Sequence, residues 1–73
     1  MDIIIDDLGD EKEAEIVSWL VVDGATVETG QPVIVVETGK ATLEIEAPMS
    51  GQIAIGVPEG QVVETGAIVG RVQ

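Results

Sequence analysis

The phrase Val-Glu-Thr-Gly occurs three times in this chain, at residues 27–30, 36–39 and 63–66, and the first and last copies stand 36 residues apart. The same shift of 36 residues places Gly24 on Gly60 and Val33 on Val69. Upstream it places Val17, Trp19 and Val21 on Ile53, Ile55 and Val57. Turn glycines and apolar spacing that coincide in both halves imply two similar units, each needing the other to cover its apolar face. The expected architecture is therefore two similar sheets packed face to face about a pseudo-twofold axis.

The residue types agree with sheets. Twelve valines, nine isoleucines and five threonines make 26 of 73 residues β-branched. Such side chains are stiff at χ1 and suit a pleated surface better than a helix. Strands are expected at Ile3–Ile5, Glu15–Val22, Thr26–Val27, Val33–Val36, Ala41–Ala47, Ile53–Val57, Val62–Val63 and Ala67–Val72. The clearest is Ala41–Ala47, where Ala41, Leu43, Ile45 and Ala47 alternate with Thr42, Glu44 and Glu46, the period of a half-buried strand. Turn signals separate the strands at Asp23-Gly24, Thr29-Gly30, Pro48–Gly51, Pro58–Gly60 and Thr65-Gly66. No helix is required, since Glu11–Glu15 has helical propensity but is too short to hold one alone. The fold class expected is all-β, a flattened barrel or sandwich of two small antiparallel sheets, with residues 1–73 as one domain.

What is missing bounds the chemistry. The chain has no cysteine, histidine, tyrosine or phenylalanine. That removes disulfides, thiolate metal sites and the usual general base. The net charge is −11, with Lys12, Lys40 and Arg71 the only basic residues. Nucleic acid and anionic membrane would repel such a surface. No apolar stretch approaches the roughly 20 residues of a membrane span. The start, Met1 to Asp6, is acidic and too short for a signal peptide. An intracellular setting is expected. Ending at Arg71-Val72-Gln73, on the last strand, suggests a domain cut from a longer chain.

The shift that aligns the halves also singles out one lysine. Lys40 lies between the expected strands Val33–Val36 and Ala41–Ala47, and adding 36 residues carries that point past the chain end. The Lys40 hairpin in one half thus corresponds to the termini in the other, which places the two at opposite ends of the domain. Gly39 is expected to adopt positive φ in a tight turn and leave Lys40 at its tip. A phosphate-binding loop does not fit: Ile34 stands where its first glycine belongs, and Ala41 where Ser or Thr must follow the lysine. Glu44 and Glu46 share the polar face of one strand, with no second cluster to make acid–base catalysis. The loop Asp6, Asp7, Asp10, Glu11 and Glu13 lacks the spacing and glycine of a calcium loop. No catalytic or metal-binding residue is expected.

Nearly end to end, the chain resembles a lipoyl domain of the 2-oxo acid dehydrogenase acyltransferase family. Asp7-Leu8-Gly9-Asp10 is similar to that family's early loop, and Ile16–Val22 with Asp23-Gly24 and Val27 to its second strand and first turn. Val36-Glu37-Thr38-Gly39-Lys40-Ala41-Thr42 resembles its lipoylation hairpin, and Ala47-Pro48-Met49-Ser50-Gly51 the turn that follows. Gly60, Val63, Gly66 and Val69 fit its closing half. The family's flattened barrel of two sheets about a pseudo-twofold axis agrees with the repeat. One position departs: the family usually has aspartate where this chain has Gly39. The biotinyl domain shares the fold, but its lysine is normally flanked by methionines, whereas Gly39 and Ala41 flank Lys40.

The resemblance implies that Lys40 carries amide-linked lipoate as a swinging arm. The cofactor would supply the redox and acyl chemistry, and the domain would present it. A lipoate ligase or lipoyl transferase would attach it, reading Glu37, Thr38, Gly39 and Ala41 and the early loop Leu8, Gly9 and Asp10. The implied partners are a thiamine-dependent 2-oxo acid decarboxylase, an acyltransferase catalytic domain and dihydrolipoamide dehydrogenase. The implied setting is the bacterial cytoplasm or the mitochondrial matrix, with the isolated domain a monomer. A biotinyl carrier of a carboxylase, or an unmodified interaction module of the same fold, remain the alternatives.

Overall fold

In the computed structural model, which describes residues 1–6 and 8–73, eight strands form two sheets. They are β1 (Asp2–Ile4), β2 (Glu13–Trp19), β3 (Thr26–Val27), β4 (Pro32–Glu37), β5 (Thr42–Glu46), β6 (Gly51–Ile55), β7 (Val62–Glu64) and β8 (Ile68–Val72). One sheet runs β1-β8-β6-β3 and the other β5-β4-β2-β7. Every pairing is antiparallel. The body is flattened, 31 × 20 × 16 Å.

The repeat accounts for this order. It sends β2 to β6, β3 to β7 and β4 to β8. With β5 taking the place of β1, one sheet's order becomes the other's, strand by strand. Backbone hydrogen bonds follow the same rule. Gly30 N–H donates to the Ala47 carbonyl at 2.9 Å, and Gly66 N–H to that of Ile5 at 2.6 Å. Ala47 N–H returns to Gln31, and Ile5 N–H to Ala67, at 2.8 and 2.9 Å. Gly30 and Gly66 hold φ of 83° and 94°, the left-handed region that a side chain disfavours, so these two symmetry-related copies of the phrase end in glycine for a conformational reason.

Carboxylates at the two turns are matched as well. Trp19 N–H donates to Glu59 Oε2 at 2.9 Å, and Ile55 N–H to Asp23 Oδ1 at 2.8 Å. Each acidic residue just before a turn glycine caps the strand end of the opposite half. Asp23-Gly24 and Glu59-Gly60 therefore do more than reverse the chain.

One alignment from the sequence is corrected. Val17 does not occupy the place of Ile53. The β2–β4 register slips between Ile16 and Ser18, leaving Val17 as an extra residue, 44% exposed. Ile16, fully buried, is the counterpart of the buried Ile53: Ile16 faces Val36 and Ile53 faces Val72. The offset is thus one residue longer before the bulge than after it, which a constant shift cannot reveal. Strand ends differ too. The second strand stops at Trp19 rather than Val22, because Ala25 N–H closes a turn onto the Val22 carbonyl at 3.0 Å. Val22 is left 76% exposed. Ala41, expected on the inward face, is exposed just before β5 begins.

The core lies between the sheets and is built from symmetric pairs: Val33 and Val69, Val36 and Val72, Ile16 and Ile53. Each such side chain contributes roughly 1.5–3 kcal/mol by leaving water. The symmetry breaks at Ile34, whose counterpart is Gly70. A Cβ on Gly70 would stand 2.7 Å from the Ala54 carbonyl oxygen and 3.2 Å from the Trp19 ring. The single tryptophan fills that space, and its Nε1–H donates to the Val57 carbonyl at 2.8 Å. Trp19 so ties the two sheets together.

Candidate functional site

The β4–β5 hairpin closes with Glu37 opposite Thr42, and only Thr38 to Ala41 lie beyond that pair. Thr38 N–H donates to the Ala41 carbonyl at 2.8 Å, leaving Gly39 and Lys40 as the two turn residues. The Thr38 hydroxyl does the rest. Its oxygen accepts from Lys40 N–H at 3.2 Å and from Ala41 N–H at 3.0 Å, and it donates to the Ala41 carbonyl at 3.2 Å. A hydroxyl offers one donor and two acceptor sites. All three are spent on the turn, and Thr38 is the one buried polar residue of the described chain, 9% exposed.

That arrangement corrects the expectation for Gly39. Gly39 is not among the glycines with positive φ. The threonine hydroxyl accepts the Ala41 N–H, so the turn closes without a left-handed glycine. The signal was in the sequence: a threonine two residues before the lysine and three before Ala41 can make such a side-chain turn.

Lys40 is exposed at the tip. Among the described residues the only ion pair is Arg71 with Asp2, at 3.5 Å, so no described carboxylate claims the Lys40 ammonium. Its neighbours Gly39 and Ala41 add little bulk. The axis that exchanges β4 with β8 and β5 with β1 carries this tip onto the chain ends, where Met1 and Val72 bond to each other in the manner of a hairpin. Tip and termini therefore lie on opposite sides of the axis.

The early loop packs beside the hairpin. Leu8 is in the core, Gly9 sits at φ 65°, and Asp10 is exposed. Asp7 lies outside the described residues. A groove runs between loop and hairpin, lined by Asp10, Glu11, Glu13, Glu15, Glu37, Thr38, Gly39 and Val62 among others. It brings Asp10, Glu37, Thr38 and Gly39 of the expected recognition residues together. Leu8, Gly9 and Ala41 do not line it. Leu8 serves instead to anchor the loop. Glu11 was not singled out as a recognition residue, yet its carboxylate lies closest to Gly39: Oε1 is 3.6 Å from where a Cβ would stand. Nothing in the local sequence marks this, because the contact joins residues far apart in the chain.

Glu44 and Glu46 are exposed on the outer face of β5. They line a different groove, with Asp2 and Asp6, between the edges β5 and β1. That groove includes no residue of the Lys40 turn.

Comparison with known proteins shows the family. Residues 2–72 match the family described as biotin-requiring enzyme, Biotin_lipoyl. The chain is 36% identical over 73 residues to the dihydrolipoyllysine-residue acetyltransferase component of a pyruvate dehydrogenase complex from Corynebacterium glutamicum, covering 97% of the chain and 11% of that protein. It is 35% identical over 69 residues to the corresponding component from Pseudomonas aeruginosa, covering 93% of the chain and 13% of that protein. It is 38% identical over 72 residues to the dihydrolipoyllysine-residue succinyltransferase component of a 2-oxoglutarate dehydrogenase complex from Rickettsia conorii, covering 96% of the chain and 18% of that protein. The chain thus spans less than a fifth of these relatives. It belongs to the biotinyl/lipoyl carrier-domain family, with the dihydrolipoyllysine acyltransferases as its relatives.

Proposed function

We propose that Lys40 is the lipoyl attachment site and that the domain carries acyl groups and electrons for a 2-oxo acid dehydrogenase complex. The observation that carries this is the turn itself. Lys40 is exposed, flanked by residues of little bulk, and set on a backbone fixed by every bonding site of the Thr38 hydroxyl. The residues fit the group: an amide at Lys40 Nζ removes a charge that no described carboxylate holds, and nothing at Gly39 or Ala41 obstructs the arm. When bound, lipoate supplies a dithiolane able to take up electrons and an acyl group.

The domain's own part is to hold the attachment point still at the end of a rigid hairpin and to keep it away from the chain ends. Tethering makes each encounter effectively intramolecular and raises the local concentration of the carried group. The resemblance to lipoyl domains of 2-oxo acid dehydrogenase acyltransferases implies the partners: a thiamine-dependent decarboxylase, an acyltransferase catalytic domain and dihydrolipoamide dehydrogenase, after loading by a lipoate ligase or lipoyl transferase. The setting would be the bacterial cytoplasm or an organelle matrix.

The test is attachment in vitro. Unmodified domain incubated with a lipoate–protein ligase, lipoate and ATP should gain the mass of one lipoyl group, and Lys40→Arg should gain none. A biotin ligase with biotin should leave the domain unchanged. Biotinylation without lipoylation would reverse the assignment.

A further inference from the structure

The three copies of Val-Glu-Thr-Gly do not fold alike. Two take one form. Gly30 and Gly66 sit at φ 83° and 94°, and Thr29 and Thr65 are exposed. Both hydroxyls bond outside their own turn: Thr29 Oγ1 lies 3.4 Å from Ser50 Oγ, and the Thr65 hydroxyl donates to the Glu11 carbonyl at 3.3 Å. The copy before Lys40 takes another form. Gly39 is not among the positive-φ glycines, and Thr38 is the only buried residue from Glu37 to Thr42. Its hydroxyl oxygen turns inward and accepts Lys40 N–H at 3.2 Å and Ala41 N–H at 3.0 Å. The same four residues thus adopt two turn conformations in one chain. What differs at Lys40 is where the threonine hydroxyl bonds. Glycine can enter the left-handed region at little steric cost, so the other form is open to this copy as well.

We propose that Thr38 is a positioning residue for the modification of Lys40: its hydroxyl holds the turn in the form that presents the lysine and keeps Gly39 out of the left-handed form of the other two copies. The proposal rests on the lipoyl reading of Lys40. Thr38 acts through the backbone. It is buried, and its one donor and two acceptor sites are all spent on the turn, which leaves nothing for an enzyme to contact. The Lys40 and Ala41 amides belong to the peptide planes on either side of the Lys40 Cα. Fixing both planes fixes the direction in which the lysine side chain leaves the turn. Without the hydroxyl the turn divides its time between the two forms. An enzyme that accepts only one of them then meets a lower concentration of it, which raises KM and leaves kcat unchanged.

Thr38 takes no part in bond making. In attachment, the amide bond to Lys40 Nζ forms as the carboxyl–phosphate bond of a lipoyl adenylate breaks and AMP leaves. The two protons lost by the ammonium pass to solvent or to the departing phosphate.

The experiment measures the initial rate of lipoyl transfer by a lipoate–protein ligase supplied with lipoate and ATP, using intact mass, over a range of domain concentrations. Thr38→Val, Thr38→Ala, Thr38→Ser and Trp19→Phe are compared with the wild type, and circular dichroism and thermal melts check that each is folded. Trp19→Phe controls for lost stability, since it removes a hydrogen bond outside the turn. Thr38→Val should lower kcat/KM about tenfold, mainly through KM. Thr38→Ala, which also lacks the hydroxyl, should behave in the same way. Amide exchange at Lys40 and Ala41 should quicken in both. Thr38→Ser should recover rate and protection together, and Trp19→Phe should match the wild-type rate. The proposal is overturned by a folded variant without the hydroxyl that keeps the wild-type rate, or by a rate loss with unchanged exchange at residues 40 and 41. It is overturned equally by Thr38→Ser no better than Thr38→Val, or by Trp19→Phe losing as much rate as Thr38→Val. A wild-type domain that the ligase leaves unmodified instead overturns the lipoyl reading, and this inference with it.

Discussion

Thr38 and Ala41 face each other across the Lys40 turn, joined by a backbone hydrogen bond of 2.8 Å and by two further bonds from the Thr38 hydroxyl, at 3.0 and 3.2 Å. The turn is therefore built on a side chain, and its stability should depend on that one hydroxyl. Thr38→Val keeps the shape and removes the oxygen. It should cost about 1–2 kcal/mol in denaturant unfolding, since the Ala41 and Lys40 amides lose their acceptor. Amide exchange at residues 40 and 41 should quicken by more than the global loss explains. Thr38→Ser should stay near wild type. Equal exchange in Thr38→Val and wild type would show that the hydroxyl does not hold the turn.

Two glycines should respond oppositely to alanine. Gly70 has the Ala54 carbonyl 2.7 Å and the Trp19 ring 3.2 Å from where its Cβ would go. Gly70→Ala must displace backbone or tryptophan and should cost about 1–3 kcal/mol. Gly39 has only the Glu11 carboxylate within reach and lacks positive φ. Gly39→Ala should change stability by less than about 0.5 kcal/mol. Thermal or urea melts decide. A large loss at Gly39 would mean that the turn needs glycine after all.

Trp19 reports on the contact between sheets. Trp19→Phe keeps most of the ring but leaves the Val57 carbonyl without its partner, a loss of about 1 kcal/mol. Trp19→Ala also opens a cavity beside Gly70 and should cost about 3 kcal/mol or more. The indole fluorescence of the wild type should shift to the red in one cooperative transition, coincident with the loss of β-sheet circular dichroism.

The matched turn carboxylates should behave alike. Asp23→Ala frees the Ile55 amide, and Glu59→Ala the Trp19 amide. Each should cost about 0.5–1.5 kcal/mol, the worth of one hydrogen bond in an exposed setting. A neutral result at one site alone would break the symmetry argument at that turn.

Much of this was legible in the sequence. The recurring Val-Glu-Thr-Gly phrase and the alternation of Leu43 and Ile45 with glutamates gave eight strands and the axis relating them, because turns and side-chain period are local properties. What escaped was non-local or a matter of register. Val17 reads as a core residue under a constant offset, and only the pairing of Ile16 with Val36 shows the bulge that turns it outward. Gly39 reads as the source of the turn because glycine so often is, whereas the buried Thr38 does that work. Glu11 reads as one charge in an acidic loop until the fold lays it against the hairpin. Leu8 reads as a loop residue, and its burial follows only from how that loop closes on the core.

The central claim is that Lys40 carries lipoate. Its most direct test is intact mass spectrometry, with peptide mapping, of the domain isolated from cells that make or take up lipoate. The account predicts one lipoyl group, on Lys40 and absent from Lys40→Arg. A biotinyl adduct on Lys40, or an unmodified Lys40 in cells whose other lipoyl proteins are fully loaded, would contradict it.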